Sequence, residues 1–142
     1  MTIAAILSNK GSEVATVSAE DRVSSAVQTL GSRRIGALPV VDGDQIVGIM
    51  SERDVIYSLR DHGAEVLDWP VSRVMSSPAI TTDPSTGVMS VLGLMTERRI
   101  RHVPVVEGGR LIGIVSIGDL VKYRMDRIEA EANAMRSYIQ SA

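Results

Sequence analysis

Residues Thr16–Arg60 align without a gap on Thr81–Met125 when the chain is slid on itself by 65 residues, with about 14 of those 45 positions identical. "GALPVVDGDQIVGIMSERD", Gly36 to Asp54, returns as "RHVPVVEGGRLIGIVSIGD", Arg101 to Asp119. Two copies are too few for a solenoid. They point to two pseudo-symmetric units packed face to face, because one unit of this size has too little surface to bury on its own. A chain of 142 residues removes about 68–70% of its unfolded surface from water, enough for a core of its own.

Each copy reads strand, helix, strand, strand, helix, an α+β pattern. In the first, "VATV" (Val14–Val17) is a short β-branched run, and Val23, Val27 and Leu30 recur at helical spacing. "LPVV" and "QIVGIM" follow as two strands around the tight-turn residues Asp42-Gly43-Asp44, and Val55, Ile56 and Leu59 form an apolar stripe after Ser51. The second copy supplies "AITT", then Val88, Leu92 and Met95, then "VPVV", Glu107-Gly108-Gly109, "RLIGIV" and a helix after Ser116. Pro39 and Pro104 lack an N–H and are expected to open edge strands. Gly48 and Gly113 sit inside apolar strands, where either a tightly packed neighbour or an approaching ligand would explain them. The division expected is residues 1–62 for the first repeat, 63–78 for a linker with one short helix, 79–125 for the second repeat and 126–142 for a helical extension.

Composition narrows the function. There is no cysteine, so disulfides, thiolate nucleophiles and zinc-thiolate sites fall away, and two histidines without paired carboxylates do not make a metal site. Net charge is −2, aromatics are 3% and Phe is absent, which disfavours nucleic acid as a partner. No run approaches the roughly 18–20 apolar residues of a membrane span, and the first residues lack the pattern of a signal peptide. A cytoplasmic protein is expected, with no membrane partner. The basic residues recur in pairs, Arg33-Arg34, Arg98-Arg99 and Arg101-His102, a placement that suits small anions better than a polyanion.

"SERD" (Ser51–Asp54) and "SIGD" (Ser116–Asp119) each close a strand and begin a helix. Ser at the N-cap with Asp three residues on resembles a capping box. A helix N-terminus with free N–H groups also binds phosphate, and a carboxylate beside it can accept both hydroxyls of a ribose. The two roles are compatible.

The pattern of a β-αββα unit with "P-V-V-D/E-G" and "G-I-x-S-x-x-D", present twice in register from about Ile3 to Arg124, resembles the cystathionine-β-synthase (CBS) domain, and the tandem resembles a Bateman module. That resemblance implies a regulatory module, not an enzyme, binding an adenosine-containing ligand such as AMP, ADP, ATP, NAD or S-adenosylmethionine in clefts between the repeats. It implies no obligatory cofactor. Carried over by position, Asp54 and Asp119 are the ribose carboxylates, and Ser51 and Ser116 lie near sugar or phosphate. Ser116 and Asp119 would share a cleft with Ala15, Ile35 and Gly36, and Ser51 and Asp54 would share one with Ile80, Ile100 and Arg101. Arg101 and His102 match the family's phosphate-reaching pair, whereas their counterparts here are Gly36 and Ala37. Arg53 likewise stands opposite Gly118. The two clefts are therefore expected to be unequal.

Val121, Met125, Ile128, Ala132, Met135 and Ile139 are spaced 4, 3, 4, 3, 4 along a helix running to about Gln140, a heptad seam. Either it folds back on its own core or it associates; a homodimer is expected, with a separate effector protein as the other partner. Two rival functions remain from the residues alone. One is a structural dimerisation unit with vestigial clefts. The other, a small acid–base enzyme using Asp54 or Asp119, is disfavoured because neither carboxylate has a paired nucleophile or a second carboxylate.

Overall fold

The computed structural model describes residues 1–11 and 13–141; Ser12 and Ala142, the last expected residue of the helical extension, lie outside the described residues. Five helices, α1 (Ile3–Lys10), α2 (Val23–Arg33), α3 (Glu52–His62), α4 (Val88–Arg98) and α5 (Ile117–Ser141), alternate with strands β1 (Val17–Ser18), β2 (Ala37–Asp42), β3 (Gln45–Ser51), β4 (His102–Glu107) and β5 (Arg110–Ser116). The first sheet has the order β1-β2-β3 and the second β4-β5. The duplication extends to irregular details. Both hairpins carry a register shift at the same place, Val40/Val41 and Val105/Val106, and the first helix of each repeat, α2 and α4, ends on a left-handed arginine, Arg34 at φ 53° and Arg99 at φ 54°.

Two expectations are corrected. Pro39 lies in β2, the middle strand, and Pro104, although β4 is an edge strand of its two-stranded sheet, is the third residue of that strand and does not open it. The geometry tolerates both because the missing N–H lies on the side of the short first strand. Thr82 donates to the Pro104 carbonyl at 3.0 Å and accepts from Val106 at 2.8 Å. The next bond of a parallel ladder would run from residue 104 N–H to the Ile80 carbonyl, and proline cannot make it. The ladder therefore stops at Thr82, so "AITT" contributes a single bridge and "VATV" only Val17 to β1.

The segments preceding the repeats are exchanged. The stretch 63–78, expected as a linker, forms two 3-10 turns, Gly63–Asp68 and Val71–Arg73, and buries Val66, Val71 and Val74 in the first core with Val23, Leu38 and Met50. Helix α1, which precedes the first repeat, buries Ile3 and Ile6 in the second core with Val88, Val103 and Leu120. Main-chain bonds repeat the swap: Val23 N–H reaches the Trp69 carbonyl at 2.9 Å, and Ile3 N–H reaches the Thr86 carbonyl at 3.0 Å. Each core is thus closed by the segment that leads into the other repeat.

Gly48 and Gly113 are packing glycines. A Cβ on Gly48 would stand 2.7 Å from Met75 Sδ and 2.9 Å from the Ser76 carbonyl, and one on Gly113 would stand 2.7 Å from Leu7 Cδ2. The exchanged segments need that space. Helix α5 does not fold back on the core: beyond Leu120 its seam stays exposed, from 43% at Val121 to 63% at Met125 and 66% at Ile139. Among the described residues no helix is long and apolar enough to cross a membrane.

Candidate functional site

Both Ser-x-x-Asp turns are built as caps. Ser51 N–H donates to Asp54 Oδ2 at 2.9 Å while Asp54 N–H donates to Ser51 Oγ at 3.2 Å, closing a capping box at the start of α3. At the start of α5, Ser116 N–H donates to Asp119 Oδ2 at 2.8 Å and Asp119 N–H to Ser116 Oγ at 3.1 Å. The capping role expected from the sequence is present in both copies.

The first turn opens on a cleft between the repeats, about 240 Å³ in volume. Two carboxylates line it, Glu52 and Asp54, and Asp54 Oδ1 also accepts from Ser76 Oγ at 3.0 Å. Ile49, Pro78, Ile80 and Ile100 form apolar walls, and Arg53, Arg99, Arg101 and His102 supply cationic or donor groups at the rim. Arg53 Nη1 donates across the repeats to the Arg99 carbonyl at 3.2 Å. Of the residues singled out in the sequence, Ser51, Arg53, Asp54, Ile80, Ile100, Arg101 and His102 meet here. Gly36, assigned to the other cleft, lines this one too.

The second side is different. Ile35, Gly36 and Ser116 line a wider groove of about 680 Å³, bounded also by Arg34, Val55 and Ile56. Asp119 and Ala15 are not in its lining: Ala15 packs on the first core, and Asp119 Oδ2 takes the Lys10 ammonium at 2.6 Å. Burial alone would push the Asp119 carboxyl up, but the bonds from Lys10 and Ser116 outweigh it and hold it below its ordinary value.

His102 stands between the two sides. Burial, reinforced by the Arg101 charge, holds its imidazole below the ordinary histidine value against the opposing pull of Glu52. A Cβ on Gly36 would come within 2.8 Å of His102 Cε1 and 3.1 Å of Nε2. The break in the repeat at Gly36 and His102 is therefore one compensated feature, since the small residue makes room for the large one opposite. Among the residues not assigned to a cleft from the sequence are Ser76, Lys10, Arg99 and Glu52. Ser76 and Lys10 lie outside the aligned repeats and carry no motif. Arg99 had a signal, as half of a repeated arginine pair.

The family model of the CBS domain matches residues 7–61 and 71–126. The mitochondrial CBS domain-containing protein CBSX3 of Arabidopsis thaliana is 36% identical over 126 residues, covering 85% of this chain, which in turn spans 61% of that relative's length. A CBS-domain-containing protein of Agrobacterium tumefaciens is similar in structure, with a TM-score of 0.84 and 37% identity over 87% of this chain and 99% of that one. The CBS domain pair of protein MJ0100, solved with 5′-methylthioadenosine and S-adenosyl-L-methionine, shares the fold at a TM-score of 0.79 and 24% identity, covering 89% of this chain and 98% of that one.

Proposed function

This chain belongs to the CBS-domain family as a tandem pair, and from that premise we propose that it is a regulatory module taking an adenosine-containing ligand in the cleft of Asp54. The observation that carries the proposal is the convergence there of the capping carboxylate Asp54, apolar walls and a group of cationic and donor side chains, with Glu52 as a second carboxylate in the lining. Asp54 is suited to accept the ribose hydroxyls, and Ile80 and Ile100 to flank the base, whose faces are largely apolar. Arg53, Arg99, Arg101 and His102 are suited to phosphate, with the α3 N-terminus adding its own N–H groups. A cleft of about 240 Å³ lies just under the roughly 300–1,000 Å³ of typical small-molecule sites, which favours AMP-sized ligands over NAD.

The occupied module is proposed to act as a homodimer through the exposed seam of α5 and to pass its state to a separate effector. Catalysis is no part of the proposal: the groups on Asp54 are the Ser51 N–H and the Ser51 and Ser76 hydroxyls, all donating to it, which suits an acceptor for further hydroxyls. The capping boxes give the structural alternative a specific footing: if the turns serve only as caps, the clefts need bind nothing.

Isothermal titration calorimetry against AMP, ATP, NAD and S-adenosylmethionine separates the two. Asp54→Ala should weaken binding by about 1.5–3 kcal/mol, the range for hydrogen bonds to a charged group, or roughly 10- to 150-fold. Absence of heat with every ligand, together with a lowered Tm in Asp54→Ala, would leave the dimerisation unit as the function.

A further inference from the structure

The two equivalent carboxylates receive unlike donors from the exchanged segments. Asp54 meets the Ser76 hydroxyl at 3.0 Å, from the stretch that leads into the second repeat. Asp119 meets the Lys10 ammonium at 2.6 Å, from the helix that leads into the first. Lys10 is fixed a second time by donating to the Ile114 carbonyl at 2.8 Å. A hydroxyl is neutral and can turn its proton elsewhere; an ammonium brings a full charge and a charge-assisted bond. The two sides differ accordingly: Asp54 and Ser76 line the first cleft, while Asp119 is not among the residues lining the groove that holds Ser116.

We propose that Lys10 is a built-in occupant of the second cleft, holding the carboxylate that would otherwise receive sugar hydroxyls, so that the chain takes one adenosine-containing ligand until the last turn of α1 is released. This rests on the nucleotide-binding proposal above. A ligand entering at Asp119 must first break a charge-assisted bond from the lysine, where the counterpart at Asp54 is a bond from a neutral hydroxyl. The latch is placed to open: its side chains remain 35% and 27% exposed, and Lys10 is the final residue of α1, followed by Gly11. The rest of α1 stays anchored without it, through buried Ile3 and Ile6 and through Leu7 over Gly113.

The test is the number of ligands bound per full chain, by calorimetry with AMP, ATP, NAD and S-adenosylmethionine in turn, for the parent, Lys10→Met, Lys10→Arg and the double variant Lys10→Met/Asp119→Asn. One ligand is expected for the parent and for Lys10→Arg, two for Lys10→Met, and one again for the double variant. A parent that already binds two, or a Lys10→Met that still binds one, overturns the latch and leaves the nucleotide proposal standing. No binding by any protein overturns both. Melting curves check that each variant is folded, with Lys10→Gln replacing Lys10→Met if the latter is not.

Discussion

Adding one methyl group at equivalent places in the two repeats should have unequal costs. At Gly113 the new Cβ meets the Leu7 side chain, with Cδ2 at 2.7 Å and Cδ1 at 3.2 Å, and the end of a leucine can rotate. At Gly48 it meets Met75 Sδ at 2.7 Å, which can also yield, but the Ser76 carbonyl at 2.9 Å as well. That carbonyl is main chain, held by the Ile49 N–H at 3.0 Å in a bridge whose return bond is 2.8 Å. Overpacking costs about 1–3 kcal/mol, and Gly→Ala returns about 0.4–1 kcal/mol through the unfolded chain. Gly113→Ala should then be destabilising by about 0–1 kcal/mol and Gly48→Ala by about 2–3 kcal/mol. At about 3–5 °C per kcal/mol for a chain of this size, the Tm values should differ by roughly 6–10 °C in thermal melts. Gly48→Ala should also weaken nucleotide binding, because moving Ser76 takes its hydroxyl off Asp54. Equal melting temperatures, or a greater loss in Gly113→Ala, would refute the assignment of rigid backbone to one site and yielding side chain to the other.

Two further predictions follow from single groups. The His102 imidazole is held below its ordinary value, by burial first and the Arg101 and Lys10 charges after it, with Glu52 and Asp119 opposing. The unfolded chain therefore takes up the proton first as pH falls; the stability from neutral His102 is complete above about pH 6.5 and is lost as pH drops through the folded value. Tm should decline between pH 7.5 and 5 less steeply in His102→Gln than in the parent, and identical slopes would rule this out. On α5, Ile128→Lys with Met135→Lys removes two seam residues exposed at 50% and 60%. At about 1.5–3 kcal/mol for each buried side chain, the pair should turn a dimer into a monomer in light scattering; a parent that is monomeric at the same concentration would remove the seam as a self-association surface.

The repeat made most of the architecture legible because its signals are local. Val23, Val27 and Leu30 declare a helix by spacing, and Asp42-Gly43-Asp44 declares a hairpin by turn chemistry. What stayed hidden depends on contacts between distant segments. Nothing in "IAAILSNK" says that Ile3 and Ile6 will bury in the second core, and nothing in "VSRVM" says that Val71 and Val74 will bury in the first. The glycines held part of that information, since Gly48 and Gly113 mark where a neighbour comes close without naming it. The prolines were legible as ladder-breakers but not as to which side they break. The answer depends on whether residue 104 turns its missing N–H toward β5 or toward Ile80, which the pairing register decides and the proline itself does not.

That register ties the candidate site to α5. The first N–H of α3, from Glu52, is held by the Gly36 carbonyl at 2.9 Å, and the first N–H of α5, from Ile117, by the Arg101 carbonyl at 2.8 Å. Position 36 or 101 therefore anchors a helix by its main chain while lining the cleft of Asp54. Only at Arg101 does that position also carry a cation, so a phosphate drawing on its guanidinium pulls on the residue that holds the start of the 25-residue α5. The other anchor of that helix is Asp119, which Lys10 keeps engaged. In the proposed relay, α5 is the element on which both clefts act, one through Arg101 and one through the lysine latch. A ligand can move it only by binding one setting of those two anchors more tightly than the other. The inequality of the clefts is what supplies such a difference: two identical sites would pull on α3 and α5 alike, whereas Arg101 on one side and Lys10 on the other direct the effect to the helix that bears the exposed seam.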